Sequence, residues 1–335
     1  MIYKNTNTNV AKRSETILDT VGNTPLVKLN RITKDLPCNV YAKIESFNPG
    51  LSAKDRIAIH TIEKAEERGV LKPGGTVIES TSGNTGYSVA MVCAVKGYRC
   101  ILTAPAKIST EKQQALRAIG AELIICPTNV KPEDPESYYS VAKRLNREIE
   151  NSYYINQYYN TDNYKAHYAT TGPEIWNQTQ GQITHYVAAC GTGGTLCGTG
   201  TYLKDQDPTI RMIGVDAYGS VLKKYHETGE YDTDEIYPYK LEAVGKNIIP
   251  DNVLFDRVDE FVKVKDDDAA HMARRIAKEE GILVGYSAGA ALKGVFEIAD
   301  QLTPEDMVVV LFSDHGSKYF AKIFNDDWMK EQKFM

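Results

Sequence analysis

Residues 76–104 read TVIESTSGNTGYSVAMVCAVKGYRCILTA, and this stretch decides the fold. Thr76 to Glu79 is an apolar, β-branched run that predicts a strand. Thr85 to Lys96 has a helical pattern, and Gly97 stops it. Cys100 to Ala104 predicts the next strand. A strand, a helix and a strand in so short a span make a βαβ crossover with parallel strands. The loop Ser80-Thr81-Ser82-Gly83-Asn84-Thr85-Gly86 leaves the carboxyl end of the first strand. Open parallel sheets bind their ligands there.

The same alternation continues on both sides. Val40 to Glu45 predicts a strand, and Asp55 to Arg68 a helix stopped by Gly69. A helix opens at Thr110, with Gln113 three residues on in a capping-box pattern, and runs to Ile119. Leu123 to Cys126, His185 to Ala189, Met212 to Asp216 and Met307 to Phe312 predict further strands. Asp266, Asp267 and Asp268 are expected to cap a helix ending near Glu280. Ile282 to Val284 is expected to lead into a turn and another helix. Pro127 to Asn151 is polar and reads as a connection between two sheet units. Tyr218 to Pro250 is weakly periodic, as functional or mobile loops are. The fold class is α/β, with parallel sheets covered by helices on both faces.

Composition narrows the function. The 335 residues are 42% hydrophobic and carry 39 Lys+Arg against 44 Asp+Glu, a formal charge of -5. No basic block points to nucleic acid or to a membrane surface. Met1 to Gly22 is too polar for a signal peptide, and no apolar run is long enough to span a bilayer. The six cysteines include no Cys-x-x-Cys pair, so no metal site is expected. These features suggest a reducing cytoplasm. Tyrosine is abundant, with Tyr153, Tyr154, Tyr158 and Tyr159 clustered. Such rings serve packing as readily as they serve a ligand.

Four loops after strands carry chemistry. Asn48 to Arg56 sets Lys54 at the mouth of a helix. Desolvation and the positive helix end would lower its pKa and favour a nucleophilic amine; a solvated lysine is the alternative. Ser80 to Gly86 offers hydroxyls and free N–H groups suited to a carboxylate, or only a capped helix. Gly191-Thr192-Gly193-Gly194-Thr195 exposes backbone amides that suit a phosphate, or makes only a tight turn. Leu196 breaks a Gly-x-Gly-x-x-Gly fingerprint, and no lysine completes a Walker loop. Gly285-Tyr286-Ser287-Ala288-Gly289 matches the nucleophile elbow of serine hydrolases. The one histidine after Ser287 is His315, directly behind Asp314, and adjacent residues of that kind make a poor triad.

In order and spacing these loops resemble the pyridoxal-phosphate β-family, the fold type II group of cysteine synthases and cystathionine β-synthases. Thr20 to Val27 resembles the family's opening signature. The chain is most similar to the cystathionine β-synthase catalytic core. That likeness runs through Lys107 to Lys112, Pro135 to Ser137, Gln157 to Asn160, His167-Tyr168, Gly214 to Ser220 and Asp326 to Met329. The resemblance implies a fold like that of the tryptophan synthase β chain. Residues 1–50 and 151–335 would form a larger cofactor-binding domain, and residues 51–150 a smaller mobile one. Pyridoxal 5'-phosphate would be the cofactor, held covalently by Lys54, which is also the catalytic base. Asn84 would bond the ring hydroxyl, Gly191 to Thr195 the phosphate, and Ser287 the pyridine nitrogen. Thr81, Ser82, Thr85, Gln157 and Tyr158 would hold the substrate.

The resemblance further implies a homodimer that replaces the β-substituent of serine, or of an O-activated serine, with a thiol. Serine with homocysteine is the first expectation, with a hydrogen sulfide-releasing side activity. A cysteine synthase using O-acetylserine and sulfide, or a diaminopropionate-forming enzyme, is the second; a serine hydrolase is a distant third. Several residues depart from the family pattern. Leu51 stands where Gly is frequent, Ala243 replaces Gly, Lys246 stands where Tyr is usual, and Phe312-Ser313 replace Leu-Pro. Ala243 and Lys246 fall where the thiol's tail would rest, and Lys246 is a candidate partner for a carboxylate. Neither a haem-binding leader nor a regulatory domain is expected.

Overall fold

The computed structural model describes residues 13–81, 83–131 and 133–335. Residues 1–12 of the polar start, Ser82 and Pro132 lie outside the described residues. Strands β1 (Leu26–Lys28) and β2 (Asn39–Ile44) lead to helix α1 (Lys54–Glu67). Next come β3 (Thr76–Ser80), α2 (Asn84–Lys96), β4 (Arg99–Pro105), α3 (Thr110–Ala118), β5 (Glu122–Cys126), α4 (Tyr138–Glu148) and β6 (Ser152–Tyr154). Helices α5 (Asp162–Ala169) and α6 (Thr171–Gln178) precede β7 (His185–Ala189), α7 (Gly194–Gln206), β8 (Arg211–Ala217) and α8 (Leu222–Thr228). The order closes with β9 (Glu260–Val264), α9 (Asp266–Glu280), α10 (Tyr286–Glu297), β10 (Met307–Phe312) and α11 (Asp326–Glu331).

The strands form a six-stranded sheet ordered β1-β2-β10-β7-β8-β9 and a four-stranded sheet ordered β5-β4-β3-β6. All pairs are parallel except β1 with β2. Both faces of each sheet are covered, which is why the strands read as apolar runs. Along β10, Val308, Val310 and Phe312 join a core with residues of α9 and α10. Val309 and Leu311 join the opposite core, with residues of α6 and α7. In the smaller sheet Val77 and Leu102 pack with α1 and α2, while Ile78 and Ile101 pack with Ala142 of α4.

Several local expectations are corrected. The polar connection contains helix α4 and runs into β6, which pairs with β3. The four-stranded sheet thus reaches Tyr154, past the residue at which the smaller unit was expected to end. Helix α3 is capped by Ser109, whose side chain accepts from the Lys112 N–H, and Gln113 Nε2 donates to the Ile108 carbonyl. Asp266 opens α9 without capping it. Its carboxylate accepts instead from the Lys240 and Leu241 N–H groups at 2.7 and 3.0 Å, tying the loop after α8 to this helix. Ile282 to Val284 is not a strand; only Val284 makes an isolated bridge, to His315.

Candidate active site

The two sheets direct the carboxyl ends of their strands toward a shared cavity of about 700 Å³. Lys54 enters it from the first turn of α1. The loop before it is held tightly: Asn48 Nδ2 donates to the Ser52 carbonyl at 3.2 Å, and the Ala53 N–H donates to the Ser313 carbonyl at 2.9 Å. Leu51, the departure from glycine, takes a left-handed φ of 57°. Gly50 admits no side chain, because a Cβ would lie 2.2 Å from Asp55 Oδ1. Two residues past Lys54, the buried Arg56 guanidinium bonds Glu45 and Glu174, each with contacts at 2.7 Å, fixing the start of α1 against the larger sheet. Among the described residues, the Lys54 ammonium makes no hydrogen bond or ion pair. Burial lowers its pKa; Asp314 opposes this and Lys246 reinforces it. An amine so placed is readily neutral.

Thr81, just after β3, and Thr85, in the first turn of α2, are buried and line the cavity. Thr85 Oγ1 donates to Gln157 Oε1 at 2.8 Å, and Gln157 Nε2 donates to Glu79 Oε1 at 3.0 Å. Glu79 Oε2 also accepts the Asn156 N–H at 2.8 Å. Burial pushes the Glu79 carboxyl up to about 8, against those hydrogen bonds. Asn84 is held at both ends. Its Nδ2 donates to Asp314 Oδ2 at 2.8 Å, and its Oδ1 accepts from Lys318 Nζ at 2.7 Å.

The glycine-rich loop carries β7 into α7. Gly193 has a φ of 91°, and a Cβ there would meet Asn252 backbone at 2.7 Å. A Cβ on Gly194 would fall 2.0 Å from Asn163 Oδ1, an oxygen that is buried without a hydrogen-bond partner among the described residues. Thr192 Oγ1 accepts from Asn163 Nδ2 at 3.0 Å, and Thr195 Oγ1 bonds His167 Nε2 at 3.0 Å. Burial keeps His167 well below its ordinary pKa, helped by Lys54, so the ring is neutral. The first N–H groups of α7 have no partner within their helix and suit an anion.

Ser287 lies buried in the first turn of α10 and lines the same cavity. His315 Nδ1 bonds Ser317 Oγ at 2.8 Å, and among the described residues no hydrogen bond joins His315 to Ser287. A hydrolase triad is therefore not assembled. Asp314 instead ties three loops together. It bridges Ser52 through the backbone, its carbonyl accepts the Gly285 N–H at 3.0 Å, and its carboxylate accepts from Asn84. Its Oδ1 is buried without a partner among the described residues, and burial raises its pKa.

Lys54, Thr81, Asn84, Thr85, Gln157, Tyr158, Gly191, Thr192, Gly193, Thr195 and Ser287 all line the cavity; Gly194 packs against Asn163 instead. Asp314, Lys318, Glu79, Asn163 and His167 were not named from sequence as parts of this site. Asp314 follows the last strand and was legible by the carboxyl-end rule. His167 lies in a segment that carries the family likeness but no assigned role; Lys318, Glu79 and Asn163 act through the fold and leave no local motif.

A free amine beside an anion cradle suits a phosphorylated carbonyl compound, and the two-sheet fold around it defines a fold type II pyridoxal-phosphate enzyme. A family model described as "Pyridoxal-phosphate dependent enzyme" matches residues 17–314. Cystathionine beta-synthase of Apis mellifera is 42% identical over 321 residues, 95% of this chain and 63% of that protein. Cysteine synthase 1 of Neurospora crassa is 37% identical over 318 residues, 94% of this chain and 84% of that one. A hydrogen sulfide-producing enzyme of Fusobacterium nucleatum superimposes with a TM-score of 0.84 at 34% identity, covering 92% of this chain and 99% of that one. The chain belongs to the pyridoxal-phosphate-dependent enzyme family, and pyridoxal phosphate is its cofactor. It spans 57% of the rat cystathionine beta-synthase. Among the described residues no helix is long and apolar enough to cross a membrane.

Proposed function

We propose that this enzyme replaces the β-substituent of serine, or of an O-activated serine, with a thiol, as a cystathionine β-synthase joins serine to homocysteine. One observation carries the reading: the Lys54 amine, without a hydrogen-bond partner among the described residues, faces the same cavity as the Thr85–Gln157 pair and the glycine-rich cradle. Bound pyridoxal phosphate supplies the sink for negative charge at the substrate's Cα. The residues of this chain supply the rest. Lys54 holds the cofactor, takes the Cα proton and returns it, and its lowered pKa favours both tasks. Gly191 to Thr195 would receive the cofactor's phosphate on N–H groups, and Asn84 would donate to its ring hydroxyl. The Ser287 hydroxyl would face its pyridine nitrogen and, unlike a carboxylate, would not hold a proton there, which favours elimination over transamination. Thr81, Ser82, Thr85 and Gln157, with Tyr158 beside them, hold the substrate carboxylate.

Residues 51–154, β6 included, form a smaller unit that closes on the larger unit built by the segments on either side and so excludes water from the substrate. The protein works as a homodimer in the cytoplasm; six free cysteines support a reducing compartment. A second reading, cysteine synthesis from sulfide, is favoured by one feature. Ala243 adds a methyl group to the cavity wall. The test is a panel of donors (serine, O-acetylserine) and acceptors (homocysteine, cysteine, sulfide), with products read by mass spectrometry. Cystathionine as the main product supports the first reading. A wide preference for O-acetylserine with sulfide replaces it with the second.

A further inference from the structure

Lys246 has no task in the chemistry described above, yet the fold holds it with care. Its N–H donates to Ser220 Oγ at 2.8 Å, and Ser220 Oγ donates to the Lys246 carbonyl at 3.0 Å. The Val221 N–H donates to the same carbonyl at 2.9 Å, and the neighbouring Gly245 N–H donates to the Cys190 carbonyl at 2.8 Å. The side chain leaves this fixed base and lines the cavity, with its ammonium 5.3 Å from the centre of the Tyr158 ring. An aromatic face attracts a cation but does not neutralise it.

No carboxylate answers that charge. Among the described residues, the Lys246 ammonium makes no hydrogen bond or ion pair. The acid nearest in sequence, Glu242, is taken by Lys112 at 3.2 Å and by Lys322. Between them Ala243 holds a left-handed φ of 63°, rare outside glycine, and its carbonyl presses on Gly191, where a Cβ would lie 2.5 Å away. Burial lowers the Lys246 pKa, as it does for Lys54, and a carboxylate that arrives beside the amine restores its charge and pairs with it. The donor's carboxylate already has the hydroxyls and N–H groups at the start of α2. Tyr158, beneath the ammonium, follows Gln157 directly, so an anion at Lys246 lies beside the donor site.

We propose that Lys246 binds the carboxylate of the second substrate, and that the acceptor is therefore an amino-acid thiol in preference to bare sulfide. This deepens the β-replacement reading and rests on it. The test uses cofactor-loaded enzyme with serine as donor and compares homocysteine with sulfide for the wild type, Lys246→Met and Lys246→Arg. The ratio of kcat/KM for homocysteine to that for sulfide falls about 10- to 100-fold in Lys246→Met, the range of a charge-assisted hydrogen bond. It largely recovers in Lys246→Arg. Lys246→Gln is the second variant should the methionine variant not hold cofactor. A ratio within about twofold of wild type overturns the proposal, as does a loss carried by the KM for serine. Should the wild type join no thiol to serine or O-acetylserine, the β-replacement reading fails by itself. Calorimetric titration of homocysteine into the loaded enzyme then decides: affinity lost in Lys246→Met supports the carboxylate site, and equal affinity overturns it.

Discussion

Asn84 meets a carboxylate with its nitrogen and an ammonium with its oxygen. Turned over, the amide would set N–H against Lys318 and oxygen against Asp314, so its polarity toward the cavity is fixed. Lys318→Met should therefore weaken cofactor binding by about 3- to 10-fold in wild type and by less in Asn84→Ala, because the lysine acts through the amide as well as through the Gly50 and Leu51 carbonyls. A fluorescence titration of both single variants and the double variant measures this; additive losses would mean that Lys318 acts elsewhere. Glu79 yields a pH prediction. Its folded carboxyl, at about 8, keeps a proton that the unfolded chain, near 4.5, has lost. Between those values the native state binds more protons, so this contribution to stability is complete at the acid end and is lost as pH rises through 8. Denaturant unfolding at about pH 5 and about pH 8 should show a flatter dependence in Glu79→Gln than in wild type. Parallel dependences would contradict the assignment.

The loop from β7 to α7 depends on backbone freedom at Gly193. The contact at 2.7 Å with the Asn252 backbone excludes a side chain, and the left-handed φ disfavours one. Gly193→Ala should cost cofactor affinity at least about 10-fold, whereas Gly229→Ala should cost only the ~1 kcal/mol of backbone strain, because a Cβ there would meet nothing within 4 Å among the described residues beyond its chain neighbours. Cofactor titration and thermal unfolding of the two variants separate strain from a damaged cradle; equal behaviour would remove Gly193 from the site. Elements differ in how far the sequence announces them. Strands buried on both faces, such as β3 and β10, announce themselves as β-branched runs, and loops after them are legible by position. Strand β6 is three polar-aromatic residues long, Ser152 to Tyr154, and exists only because β3 offers it an edge. Asp266 to Asp268 looked like a cap, but Asp266 is drawn to the N–H groups of Lys240 and Leu241, a contact between segments far apart in sequence. Lys318 and Glu79 were missed for the same reason: each acts on a residue brought near only by the finished fold.

Across the whole molecule, the cavity lies where the two sheets meet, and α1 belongs to both sides. It packs against α2 beside the smaller sheet and against α5 beside the larger one, and it starts at Lys54. Glu242 adds an ion pair across the cleft to Lys112 of α3. The architecture thus brings the amine, the cradle and the substrate loops together from segments spread over most of the chain. The central claim is that this convergence builds a single pyridoxal-phosphate site centred on Lys54. Reduction of the loaded enzyme with borohydride, followed by proteolysis and mass mapping, tests it most directly. The cofactor should be fixed on the peptide bearing Lys54 and on no other, and Lys54→Ala should abolish the label while the protein stays folded by circular dichroism. Label on the peptide bearing Lys246, or on none, would contradict it.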